Sequence, residues 1–286
     1  MRIKTVAIIG LGLIGASLAM ALKKKKVPVN VIGKSGHAAT VRKALKRKII
    51  NKGTMDIKEA VVDADLVIIC TPINRIINML KQIAPHLKKD AIVTDVGSTK
   101  SQIVKAAERI MPKRAHFVGG HPMAGTEHTG IDWAFPELFD GRPYILAVTK
   151  RTSRKALFTL EKFLKKLRLN VLRLSPEEQD TLVAGISHLP LAVAASLTST
   201  IAAMPRRNRF SRVASSGFRD TTRIASGSPV LGVDLFTTNK KAVLKMINSF
   251  KLSLRSLESA IKSGNAKRVS KILSSAKKFR DRVCSK

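Results

Sequence analysis

The sequence predicts an α/β chain in two parts: a doubly wound sheet over residues 1–174 and an all-helical domain over residues 175–286. Three observations carry this. Residues 5–9 are apolar and run into Gly10-Leu11-Gly12-Leu13-Ile14-Gly15, after which residues 16–22 have helical spacing. Strand-like and helix-like segments then alternate as far as residue 174, the pattern of a sheet with crossover helices. From Ser175 the strand signals stop: Ser175-Pro176-Glu177-Glu178 joins a cap residue, a proline at the first helical position and acids in the first turn. A length of 286 residues suits two domains better than one.

Taken in order, residues 5–10 read as the first strand, 13–25 as its helix and 29–32 as a short second strand. A basic helix at 38–48 and a helical stretch at 57–62 lead to the fully apolar segment 66–70, bounded by Asp65 and Thr71-Pro72. Such an unbroken run fits a strand buried on both faces. Residues 73–87 read as a helix, 91–95 as a strand, 100–110 as a helix and 116–119 as a strand, followed by a loop over 120–141. A strand at 144–149, a helix at 154–167 and a last strand at 170–174 complete the sheet. Beyond it, apolar residues recur at helical spacing over 182–201, 242–261 and 266–279. So much apolar helical face with few aromatics predicts a homodimer through this region.

The glycine hexapeptide stands in the strand-turn-helix context that a dinucleotide-binding fingerprint requires, and the first domain is therefore read as Rossmann-like. Gly10 permits the tight turn, Gly12 lets backbone approach a pyrophosphate and Gly15 allows close helix packing, while Leu13 and Ile14 open a helix whose free N–H groups favour an anion. Thr71, Pro72, Val96 and Gly97 follow neighbouring strands and complete the expected cofactor cleft. An acid at the end of the second strand would select NAD, but Lys34 and Ser35 stand there and the first acidic residue of the chain is Asp56. A 2′-phosphate is attracted by that pair, so the expected cofactor is NADP, with NAD the alternative.

Lys plus Arg number 53 against 19 Asp plus Glu, a formal net charge of +34. A surface this basic attracts polyanions non-specifically at low salt. The basic tracts are spread along the chain and fall at predicted helix ends or exposed faces, without aromatic interleaving or a nucleic-acid-binding motif, so no specific nucleic-acid partner is expected. The two cysteines, Cys70 and Cys284, are too far apart to announce a metal cluster or a disulfide framework. Neither a signal peptide nor an uninterrupted apolar run of about 20 residues is read from the sequence, which predicts a cytoplasmic chain without a membrane partner.

Chemistry is concentrated in four segments. Asp95-Val96-Gly97-Ser98-Thr99-Lys100 closes one strand and Gly120-His121-Pro122-Met123-Ala124-Gly125-Thr126-Glu127 follows the next. Ligands gather beyond strand C-termini in such sheets, which lifts His121 above a structural histidine. Ser187-His188-Leu189-Pro190 lies on the first long helix of the second domain, and Gly217-Phe218-Arg219-Asp220-Thr221-Thr222-Arg223-Ile224-Ala225 offers cations for an acidic substrate.

In these four motifs, in this order and across essentially the full chain, the sequence resembles the prephenate and arogenate dehydrogenases of tyrosine biosynthesis. The resemblance implies oxidative decarboxylation of a 4-hydroxycyclohexadiene carboxylate with hydride transfer to a nicotinamide. It implies that His121 takes the proton of the substrate hydroxyl, that Ser98 orients the imidazole or the hydroxyl, and that His188 supports the substrate from the helical domain. Arg223 is then the expected ligand of the ring carboxylate, with Arg219, Asp220, Thr126 and Glu127 as further substrate-side residues. Where many prephenate-type members continue Ser-His-Leu-Pro with a second histidine, this chain has Leu191; where many carry a tryptophan nine residues after the arginine matched by Arg223, it has Gly232. No regulatory domain is expected after the helical one. The two replacements resemble the arogenate-preferring, NADP-linked branch.

Two other readings remain open at this level. A 6-phosphogluconate or 3-hydroxyacid dehydrogenase would share the glycine turn and the helical second domain, but is expected to place a lysine on the first helix of that domain; here none lies between Lys166 and Lys240. A non-enzymatic polyanion-binding protein would account for the charge and leave His121, Ser98 and Arg223 unexplained.

Overall fold

The structure, a computed structural model, describes residues 2–126, 128–205 and 209–284. Its centre is one eight-stranded sheet in the order β3-β2-β1-β4-β5-β6-β7-β8. The strands are β1 (Thr5–Ile9), β2 (Asn30–Lys34), β3 (Lys52–Thr54), β4 (Leu66–Ile69), β5 (Ile92–Asp95), β6 (His116–Pro122), β7 (Pro143–Ala147) and β8 (Asn170–Leu174). All neighbours pair in parallel except β6 and β7. Order reverses between β1 and β4, and there a doubly wound sheet opens its crevice.

Helices α1 (Leu13–Lys24), α2 (Ala38–Lys46), α3 (Ile57–Val61), α4 (Ile73–Ile83), α5 (Ser101–Ile110) and α6 (Arg154–Lys165) cover the sheet. Two apolar layers result. One joins β1, β4 and β6 residues such as Ile8, Ile68 and Val118 to α1 and α6, and the other joins Ile9, Val67 and Val93 to α4 and α5. β4 is buried along its whole length, as its unbroken apolar run requires.

Two strands depart from the sequence reading. β3 is Lys-Gly-Thr, with no apolar run to announce it; it exists because Lys34 and Thr54 are ladder partners and Gly53 lies against Val41 and Ile50. β6 continues through Pro122 instead of entering a loop at residue 120, since its second half turns from β5 to β7, with His121 opposite Ile145.

After β8 the chain is helical: α7 (Pro176–Val183), a π-helical turn Ala184–His188, α8 (Leu189–Ala202), α9 (Phe210–Val213), α10 (Ser216–Thr222), a 3₁₀ turn Arg223–Ser226, α11 (Pro229–Thr238), α12 (Lys240–Lys262) and α13 (Ala266–Cys284). Ser175 caps α7 through its side chain, accepting from Glu178 N at 3.1 Å. Compactness divides the chain into residues 1–240 and 241–286, so the helices from α7 to α11 belong to the same unit as the sheet. The helical run Pro176–Ala202, with a mean hydropathy of 1.5 in its most apolar window, reaches the length and composition of a membrane span, which sequence reading had not registered. Ile186, Val230 and Val233 are exposed on the first unit; Leu252, Ile261 and Phe279 are exposed on the second.

Candidate active site

The loops after β1, β4 and β5 meet at the C-terminal edge of the sheet. Gly10 has φ +103°, and a Cβ there would lie 2.7 Å from the Cys70 carbonyl oxygen. At Gly15 a Cβ would lie 1.9 Å from the Gly10 carbonyl, whereas at Gly12 it would meet nothing within 4 Å. The first and third glycines are thus demanded by packing, and the second borders open space. Gly12 also caps α1 without a side chain, and no acid occupies the first turn at Leu13 and Ile14, which leaves the N-terminal N–H groups of α1 available to an anion. Thr71 Oγ1 is buried without a partner among the described residues, while Pro72 caps α4 beside it. Val96 and Gly97 follow β5, with Val96 N bonded to the Ile69 carbonyl at 3.1 Å. These features fit a dinucleotide: a cradle free of side chains, an uncapped helix start and an orphaned hydroxyl.

Lys34 ends β2 opposite Ile9, and its carbonyl accepts from Gly10 N at 2.8 Å. Ser35 is buried beside it, its oxygen accepting from His37 N at 3.2 Å while the hydroxyl hydrogen stays available. Residues 33–37, which end this strand and follow it, include no acid; the carboxylate beside them is Glu59, which accepts from Thr54, the ladder partner of Lys34.

His121 is held by a device that the sequence reading missed. The β5–β6 ladder stops at the Thr94–Val118 pair. Beyond it, side chains take over the bonding of β6: Asp95 Oδ1 accepts from Gly120 N at 3.2 Å, and Lys100 Nζ donates to the Gly120 carbonyl at 2.9 Å. Lys100 and Asp95 form an ion pair with each other, and both are fully buried. Gly120 must be glycine, because a Cβ there would sit 2.5 Å from the Asp95 carbonyl and 2.7 Å from the Tyr144 hydroxyl. Asp180 on α7 closes the N-terminus of α5, taking Lys100 N at 2.7 Å and Ser101 N at 2.9 Å. In this way α7 is bonded to the segment that carries Ser98 and Lys100.

His121 is 7% exposed. Burial above all, with Lys100 and then His188 adding positive repulsion, pulls its pKa down to about 3. A neutral imidazole at neutral pH is the protonation state a general base needs. Its Nδ1 is buried without a partner among the described residues. The histidine lines a cavity of about 440 Å³ together with Ser98, Met123, Thr126, Arg142 and Ser187. Ser98 and His121 therefore share one space, although no hydrogen bond joins them among the described residues. Thr126 is exposed at the rim and accepts from His128 N at 3.2 Å. Glu127, expected on the substrate side, lies outside the described residues.

His188 closes the π-helical turn that aims Ser187 into the cavity, and such turns recur at functional sites. It is wholly buried. Burial lowers its pKa to about 4, against the opposing pull of Asp180. Arg219, Asp220 and Arg223 are exposed on α10 and the 3₁₀ turn that pack against α8, and none lines the cavity. The cation that does is Arg142, immediately before β7, for which the sequence held no motif. Leu191 and Gly232, the two replaced positions, are neighbours: a Cβ on Gly232 would lie 3.7 Å from Leu191 Cδ2.

Residues 18–172 match the family model of the prephenate dehydrogenase nucleotide-binding domain, and residues 175–275 that of the prephenate dehydrogenase dimerization domain. The prephenate dehydrogenase of Bacillus subtilis is 35% identical over 97% of this chain and 75% of its own length. The crystal structure of Synechocystis arogenate dehydrogenase superposes with a TM-score of 0.86 at 35% identity, covering 98% of this chain and 99% of that one. That of prephenate dehydrogenase from A. aeolicus, in complex with hydroxyphenyl propionate and NAD+, gives 0.93 at 32% identity and 99% of each chain.

Proposed function

Because this chain belongs to the prephenate dehydrogenase family, we propose that it carries out oxidative decarboxylation of arogenate with NADP as the hydride acceptor, giving tyrosine. The observation that carries the proposal is His121, buried, neutral and facing a cavity shared with Ser98 and Ser187. His121 accepts the proton of the substrate 4-hydroxyl while the hydride leaves the same carbon. The bond to the ring carboxylate breaks, carbon dioxide departs, and its electron pair completes the aromatic ring. The nicotinamide, when bound, supplies the hydride acceptor. Aromatisation drives the reaction, so the chain has to bind, orient and deprotonate.

Ser98 orients the hydroxyl, Arg223 is the proposed ligand of the ring carboxylate, and Arg219, Asp220, Thr126 and Glu127 are proposed on the substrate side. The preference for NADP rests on Lys34 and Ser35 at the end of β2 and on the lack of an acid among residues 33–37. The preference for arogenate rests on Leu191 and Gly232, which put an apolar, open corner where an imidazole and an indole are otherwise expected. A homodimer through residues 175–286 is supported by the description of the matching dimerization domain and by the apolar residues left exposed on α7, α11, α12 and α13. Domain roles are proposed to divide near residue 174, between the two matched regions.

His121→Asn tests the reading. Loss of the base is expected to lower kcat by about two orders of magnitude with cofactor binding unchanged. Full turnover of that variant at neutral pH removes His121 from the mechanism.

A further inference from the structure

Asn239 follows α11 at its C-terminus and is 5% exposed. Its Nδ2 donates to the Asp180 backbone carbonyl at 2.7 Å and lies 3.3 Å from His188 Nδ1. A carbonyl oxygen only accepts, so the amide must present its nitrogen, and not its oxygen, to Asp180. That nitrogen has a second hydrogen, and His188 Nδ1 is the group it meets. Nδ1 is then the accepting, unprotonated nitrogen of the ring. In a neutral imidazole the one proton must sit on Nε2.

Nε2 is buried and has no partner among the described residues. Burial opposes a charge on the ring and outweighs the pull of Asp180, while His121 stands close enough for the two rings to repel when charged. His188 therefore presents a buried N–H donor, next in sequence to the Ser187 that lines the His121 cavity. Buried donors are almost always matched, and an unmatched one at a site asks for an acceptor on the ligand.

We propose that Asn239 is a positioning residue that locks His188 as the Nε2–H tautomer, so that His188 acts as a neutral hydrogen-bond donor to a carbonyl or carboxylate oxygen of a bound ligand. The inference rests on the dehydrogenase reading for the ligand, but the tautomer is a property of the resting protein. The chain also explains the anchoring of α11: Thr238, beside Asn239, bonds through its hydroxyl to that of Thr99 at 2.9 Å, so the same helix end touches both the Ser98 segment and His188.

Nitrogen NMR of the full chain labelled with ¹⁵N-histidine tests this, with the His188 signals identified by their loss in His188→Gln. The expected resting pattern is an unprotonated Nδ1 and a protonated Nε2 at neutral pH. Titration with NADP+ alone and with tyrosine, the product of the proposed reaction, alone separates the two sources of oxygen: movement of the Nε2–H signal with the first assigns the cofactor, with the second the substrate side. Asn239→Asp, whose carboxylate accepts from Nδ1–H, is expected to move the proton to Nδ1 and to lower kcat/KM at least tenfold. His188→Gln, which keeps an N–H near the Nε2 position, is expected to retain far more activity than His188→Leu. A proton on Nδ1 in the resting chain overturns the proposal, as does an Nε2–H signal that moves with neither ligand. Failure of the dehydrogenase reading looks different: no turnover, with the tautomer intact.

Discussion

At the scale of single residues, the peptide next to His121 is held by a buried charge pair, Lys100 and Asp95. Lys100 and Asp95 replace the ladder bonds that β5 cannot offer beyond Thr94, and they fix the Gly120 peptide from which His121 projects. Lys100 also contributes to holding His121 neutral. The sign follows directly: a depressed pKa leaves the base unprotonated well below the usual histidine value, so kcat/KM is expected to stay level as pH falls below about 6.5. Lys100→Met should move that acid limb upward, and the stranded Asp95 should cost about 3–5 kcal/mol of stability. A pH–rate profile and a Tm measured on the same variant check both effects. The two candidate ligands of the ring carboxylate, Arg223 and Arg142, make a second test. Arg223→Lys keeps the charge and loses the planar fork, so KM is expected to rise about tenfold or more, the loss of a charge-assisted bond worth ~1.5–3 kcal/mol. Arg142→Lys, at the cavity wall, should change it less; the reverse order would transfer the carboxylate to Arg142.

At the scale of elements, the glycine turn separates packing from binding. Gly15→Ala places a methyl against the Gly10 carbonyl and should unfold the turn between β1 and α1, whereas Gly12→Ala enters open space. Gly12→Ala is therefore expected to keep its Tm within a few degrees and to weaken cofactor binding tenfold or more, because the pyrophosphate needs that space. Calorimetry and a cofactor titration on the two variants check the contrast. The alternation of strands and helices was legible because β1, β4 and β5 are apolar runs between turn residues. β3 was not, since Lys-Gly-Thr carries no apolar signal and pairs through its neighbours' geometry. Nor was the end of β6: Gly119-Gly120-His121-Pro122 has the composition of a turn, yet Gly120 is a strand residue under Tyr144 and Asp95. The motif that contains Asp95 and Lys100 gave no sign that the two pair with each other and fasten Gly120, and a lone asparagine after a helix gave no sign that Asn239 reaches His188. His121, Ser98 and His188 were proposed from the motifs that hold them; what surrounds them in the fold is tertiary and has no sequence signal.

At the scale of the whole molecule, a formal charge of +34 is spread along a chain in which several of the 19 acids pair with nearby cations. Asp132 pairs with Lys43 and Arg47, Glu137 with Lys24 and Asp140 with Lys25, fastening the segment between β6 and β7 to α1 and α2. Each exposed pair is worth about 0–1 kcal/mol and weakens with salt. The excess of cations draws dianionic ligands toward the chain but selects none of them. Selectivity is expected from the sheet's C-terminal edge, where the glycine turn, Lys34 and His121 come together in one sheet. The most direct measurement is steady-state turnover at physiological ionic strength with arogenate or prephenate, each with NADP+ or NAD+, following reduced cofactor and carbon dioxide together. The expected result is one carbon dioxide per reduced cofactor, with arogenate and NADP+ the fastest pair. Reduction without carbon dioxide, or no turnover with any of the four pairs, would contradict the assignment.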